Sequence, residues 1–159
     1  MDMHFPDQKQ VDDLFTMLLG KRCKIGPAKP QGKRPGDAAA LGVYVDDEGN
    51  VVGAIICDIT LAGSAGTALS MLPPKLAADC VKTKKIPPNV AENLYEVLNV
   101  GASLYNGARA LHVKLREVVL EPERPPKEIK AILRKPSKRL DLSVQVAGYD
   151  PGSIHLLAA

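Results

Sequence analysis

Pro87 and Pro88 introduce the segment that most restricts the fold, Asn89–Asn106, a helical run stopped by Gly107. On a wheel with Val90 at zero, Leu94, Val97, Leu98, Gly101, Leu104 and Tyr105 fall within about 80° of it. Glu92, Glu96, Asn99, Ser103 and Asn106 lie opposite, at about 160–240°. Such a helix must bury one face against a second layer and leave a polar stripe outside.

The flanking segments supply that layer. Gln8–Leu19 reads as a shorter amphipathic helix, with Val11, Leu14, Phe15 and Leu18 at helical spacing and Gly20 as its stop. Ala38–Val45 and Val51–Ile59 are rich in β-branched and small apolar residues around Asp-Asp-Glu-Gly-Asn, the pattern of a hairpin. Leu61–Leu72 and Lys75–Lys84 read as helices. After the long helix, His112–Leu120, Glu128–Leu133, Leu140–Ala147 and a run around Ile154–Leu157 read as strands, with a turn at Asp150-Pro-Gly. Strands joined by short turns favour an antiparallel sheet. The expected class is α+β: one domain, mainly antiparallel, with helices packed on one face. Residues 1–36 are expected to form an N-terminal helix and basic loop, and residues 37–159 the α+β domain, the two making one globular unit.

Composition narrows the function classes. At 159 residues the chain is long enough to bury a core without a metal or a disulfide. No apolar run reaches the ~18 residues of a membrane span, and MDMHFPDQKQ lacks the plan of a secretory signal. Cys23, Cys57 and Cys80 are widely spaced, and His4, His112 and His155 form no close pair, so no metal site is expected. Three reduced thiols suit a cytoplasmic protein. The net charge of +3 is concentrated in Lys21–Arg34, which has six basic residues and no acid, so the remainder is mildly acidic. Phe5, Phe15, Tyr44, Tyr95, Tyr105 and Tyr149 do not interleave with that loop, which argues against a nucleic-acid partner.

Glu96 and Asn99 stand out within the stripe. At i and i+3 their side chains project together, and asparagine is a poor choice for a helix interior unless its amide is used. The segment Asn93–Asn106, NLYEVLNVGASLYN, resembles the signature helix of the CheX/CheC-type chemotaxis phosphatases, in which Glu-x-x-Asn precedes small residues, here Gly101, Ala102 and Ala108. The resemblance spans roughly residues 37–147. It implies hydrolysis of the aspartyl phosphate on a response-regulator receiver domain. Asn99 would align the attacking water, and Glu96 would pair with the receiver's active-site lysine. Glu92, Ser103 and Asn106 would contact the partner. The Mg²⁺ belongs to the receiver, so no cofactor is needed in this chain, and a homodimer fits the family. Two departures stand: the earlier helix, LAGSAGTALSML, lacks the pair, and Val100 follows Asn99 where a glycine is common. A non-catalytic binding or scaffold domain is the alternative.

Other constellations are weaker. Ser64 with Asp141 and His155 follows the chain order of a hydrolase triad, but the alternating strand–helix units of that fold are missing. Arg134 and Arg139 before Asp141 are misspaced for the PilZ pattern. Asp46, Asp47, Glu48 and Asn50 read as a hairpin turn rather than a cation loop, and no glycine-rich phosphate loop is present.

Overall fold

A computed structural model describes residues 2–29, 39–120 and 125–159. The second half of the expected basic loop, residues 30–36, lies outside them. Twelve residues form the first helix, α1 (Gln8–Leu19). The Asp7 carboxylate caps it by accepting from the Gln10 amide, the Gln10 side chain reaches back to the Asp7 amide, and Gly20 ends it in the left-handed conformation. The chain continues through β1 (Cys23–Pro27), β2 (Ala40–Val45), β3 (Val51–Cys57), α2 (Ile59–Ala68), α3 (Lys75–Thr83) and α4 (Pro88–Gly101). A 3-10 turn (Ala102–Tyr105), β4 (Lys114–Leu120), α5 (Lys127–Arg134), β5 (Lys138–Val146) and β6 (Gly152–Ala158) complete it.

The fold is α+β, with one six-stranded sheet in the order β1-β5-β6-β3-β2-β4 and every pairing antiparallel. Side chains alternate across it. Ala40, Tyr44, Ile55, Cys57, Val144 and Leu156 point into the main core, where α1, α2 and α4 pack on one face. The expected basic loop begins instead as the edge strand β1, paired along one side to β5.

Leu41, Val43, Ala54, Ile56 and Leu157 point the other way and meet Ile129 and Ile132 of α5. That helix corrects the expected strand at Glu128–Leu133. Strand spacing would split Ile129 from Ile132, whereas helical spacing puts both with Leu133 on one face. Glu128 in the first turn and Arg134 in the last also complement the helix dipole. Because both faces are covered, β2 is buried along its whole length and reads as a continuous apolar run.

α2 is built for close approach. All residues from Leu61 to Ala68 are buried. A Cβ on Gly66 would lie 2.6 Å from the Val90 carbonyl oxygen of α4, and one on Gly63 would lie 3.1 Å from Cys80 of α3. The small residues of LAGSAGTALSML are therefore packing contacts between three helices.

Candidate functional site

Val90, Leu94, Val97 and Leu98 bury the inner face of α4, and Pro88 at its first position suits a helix start. Three contacts fix its placement. Gly66 lets Val90 lie against α2. The Asn93 Nδ2 donates to the Gly66 carbonyl at 2.8 Å and to Ser70 Oγ at 2.7 Å. From the sheet, the Tyr44 hydroxyl donates to the Leu98 carbonyl at 2.7 Å. Burial, with the Tyr105 phenol next in weight, raises Tyr44 well above its ordinary value and keeps it a donor.

This held rod presents Glu92, Glu96, Asn99 and, from the 3-10 turn, Ser103 to solvent. Among the described residues, none of these four side chains has a hydrogen-bond or ion-pair partner within the chain. Glu96 and Asn99, three apart on one α-helix, are therefore an exposed and unspent acid–amide couple. Asn106 is different. Its Nδ2 donates to the Ala102 and Val113 carbonyls at 2.9 and 2.8 Å, and its Oδ1 accepts from the Val113 amide at 2.8 Å. The amide clamps the end of the 3-10 turn to the residue before β4, so both of its donors are spent within the chain. Of the small-residue run, Gly101 and Ala102 are buried and Ala108 is exposed beyond the helix.

Tyr95 belongs to neither set on the wheel and was missed. It is 47% exposed and sits one helical turn before Asn99, where it widens the outer face with an aromatic ring. The signal was its position at the edge of the polar stripe, at about 140° on the same wheel.

Two clefts open elsewhere on the surface. One of about 230 Å³ lies among Thr60, Ser64, Pro74, Val81, Tyr149 and Asp150, and one of about 360 Å³ among Met3, Phe5, Val52, Leu111, Ser137 and Lys138. Glu96 and Asn99 line neither. An exposed helix face that lines neither of these clefts suits a macromolecular partner better than a small molecule.

The other constellations resolve into structural parts. Asp141 and His155 do meet, Oδ1 to Nδ1 at 2.5 Å, but the serine beside them is Ser153, whose Oγ is 3.2 Å from His155 Nε2. Ser64 is buried and donates to the Leu61 carbonyl of its own helix. Ser153 donates to Asp58, whose other oxygen caps α2 by accepting from the Leu61 amide at 2.8 Å. The Asp46 carboxylate accepts from the amides of Glu48 and Asn50, so the acidic turn is held by its own backbone. Burial raises all three thiols above their ordinary value, leaving them protonated and poorly nucleophilic. Among the described residues no group of three or more His, Cys, Asp or Glu could hold a metal ion, and no helix is long and apolar enough to cross a membrane.

No family model matches the chain, and no curated protein matches it by sequence. Solved structures do. The middle domain of FliM from Vibrio alginolyticus matches with a TM-score of 0.60 at 10% identity, over 94% of this chain and 86% of that one. The FliM middle domain from H. pylori gives 0.57 at 7% identity, over 95% and 84%. A chemotactic CheC-like protein from Shewanella oneidensis MR-1 gives 0.51 at 13% identity, over 96% and 92%. This chain has the CheC-like fold. At these identities the likeness extends to the arrangement of elements and no further. Within the CheC-like fold, α4 is the element on which this sequence places its Glu-x-x-Asn.

Proposed function

We propose that the chain is a CheX-like phosphatase that hydrolyses the aspartyl phosphate of a response-regulator receiver domain in the cytoplasm. The observation that carries this reading is the exposed, internally unpartnered couple Glu96 and Asn99 on a helix held rigidly from both sides. An acyl phosphate is intrinsically reactive, so the phosphatase has to supply positioning rather than a nucleophile. Asn99 can accept from and donate to one water and aim it in line at phosphorus. Glu96 can pair with a lysine of the receiver and set the distance. The receiver's own Mg²⁺ would carry the phosphate charge, which suits a chain whose thiols are held protonated.

The test is the lifetime of phosphoryl groups on purified receivers from the same genome, with and without this chain. Acceleration by the wild type and a loss of about 10²–10³-fold in Asn99→Ala are expected, the usual cost of one polar positioning group. Equal rates in the two proteins would remove Asn99 from the mechanism.

A second reading is a non-catalytic docking module. It is favoured by the fold likeness to FliM middle domains and to a chain of a FliG–FliM complex from H. pylori, the latter at a TM-score of 0.51. In the same assay such a module would bind a receiver and leave the lifetime unchanged or longer.

A further inference from the structure

We propose that Tyr44 is a positioning residue for Asn99, setting through its hydroxyl the helical turn from which that amide projects. The kinetic part of this inference rests on the phosphatase reading; the structural part does not. Tyr44 is fully buried, one strand below α4. Its ring has little freedom: a Cβ on Gly42 would already lie 3.0 Å from it, and the Tyr105 ring packs at 5.2 Å. Tyr105 is anchored in turn by its hydroxyl, 2.9 Å from the Ala54 carbonyl and 3.1 Å from that of Leu157, on adjacent strands. The two phenols form a strut from the sheet centre to the helix.

The upper end of the strut meets α4 where its geometry changes. In a regular α-helix the Leu98 carbonyl would accept from the Ala102 amide, four residues on. Here the Ala102 amide bonds back to the Asn99 carbonyl, three residues before it, and to that of Val100, and Leu98 takes the Tyr44 hydroxyl instead. The backbone then runs as a 3-10 turn. Tyr44 thus substitutes for a backbone donor and releases Ala102 to tighten the chain immediately after Asn99. Gly101 completes the fit, because a Cβ there would touch the same hydroxyl at 3.4 Å. Without the hydroxyl, the buried Leu98 carbonyl recovers a donor most cheaply by recapturing Ala102. The turn relaxes from three to 3.6 residues, and the Asn99 and Ser103 side chains rotate relative to each other.

Tyr44→Phe tests this with the ring packing retained. Through-hydrogen-bond coupling in NMR should connect Ala102 N to the Asn99 carbonyl carbon in the wild type and to the Leu98 carbonyl carbon in Y44F. In the receiver assay, kcat should fall about 10–100-fold with KM within about twofold, since a misplacement of about 1 Å can cost 10²-fold. Added to Asn99→Ala, Y44F should cause no further loss, whereas a merely structural defect would lower both backgrounds equally. An unchanged coupling pattern, an unchanged kcat or an equal loss in both backgrounds overturns the proposal. An Ala102–Leu98 coupling in the wild type does so without any variant. If the wild type accelerates no receiver, the phosphatase reading falls, and the couplings alone decide whether Tyr44 sets the turn.

Discussion

Thr67 sits buried in the last turn of α2, and among the described residues its hydroxyl is a buried polar group without a hydrogen-bond partner. Leaving such a group unsatisfied costs about 1–3 kcal/mol, and valine fills almost the same shape. Thr67→Val should therefore stabilise the protein by about 1 kcal/mol and raise the melting temperature by about 2–4 °C, read by circular dichroism. A lower melting temperature would mean that the hydroxyl is satisfied after all. The same question of where a polar group spends its bonds limited the reading of the stripe. Asn99 and Asn106 share a face and a residue type, and no periodicity separates an amide left free from one tied to Val113 across a turn. Asn99 and Glu96 were legible as a couple because their spacing is local. The fate of Asn106 depends on how the chain folds back after the helix, and that lies outside the wheel.

For helices, legibility followed length and the clarity of the stop signal. α1 runs over the expected residues because a capping box and a left-handed glycine mark both its ends. The expected helix over Asn89–Asn106 is α4 plus the 3-10 turn, the change of geometry arising from a buried tyrosine on another element. α5 was read as a strand because six residues carry too few repeats to separate the two periods, and because the uncovered second sheet face cannot be seen before the sheet is assembled. The small residues of α2 point to a prediction of their own. At Gly66, alanine would gain up to about 1 kcal/mol in helix propensity. Its Cβ would, however, meet the Val90 carbonyl oxygen at 2.6 Å and Val90 Cγ1 at 2.7 Å, backbone and core atoms that cannot swing away. Overpacking of this kind costs about 1–3 kcal/mol, so Gly66→Ala should lose about 1–2 kcal/mol net, a lower urea midpoint with an unchanged slope. A raised midpoint would show that α2 and α4 separate freely, and the rigid placement of α4 would lose its basis.

Across the whole molecule, the α+β class and the two hairpins β2–β3 and β5–β6 were legible, since each pairs neighbours joined by a turn. The β3–β6, β1–β5 and β2–β4 pairings were not, because they join segments far apart in sequence that no local pattern encodes. The last strand docks between β5 and β3, and a polar string crosses this junction: Arg139 and Asp141 on β5, His155 and Ser153 on β6, and Asp58 at the start of α2. Burial pushes the Asp141 carboxyl up, but hydrogen bonds from Arg139 at 2.9 Å and from His155 outweigh it and hold the group below its ordinary value. A carboxyl held low in the folded state stabilises fully above its unfolded value, near 4, and loses that contribution as the pH falls through the folded value. Asp46, held low chiefly by the backbone amide of Asn50 against the opposing effect of burial, acts with the same sign, so comparison with a variant is needed to isolate Asp141. Asp141→Asn should lower stability at pH 7 by about 1.5–3 kcal/mol, the scale of a hydrogen bond to a charged group. Urea midpoints taken from pH 7 to pH 2.5 should then show the wild type falling more steeply below pH 4 than the variant, with the two curves converging in acid. Parallel curves would mean that Asp141 carries no linkage and that the joint between the last strand and α2 is held by packing alone.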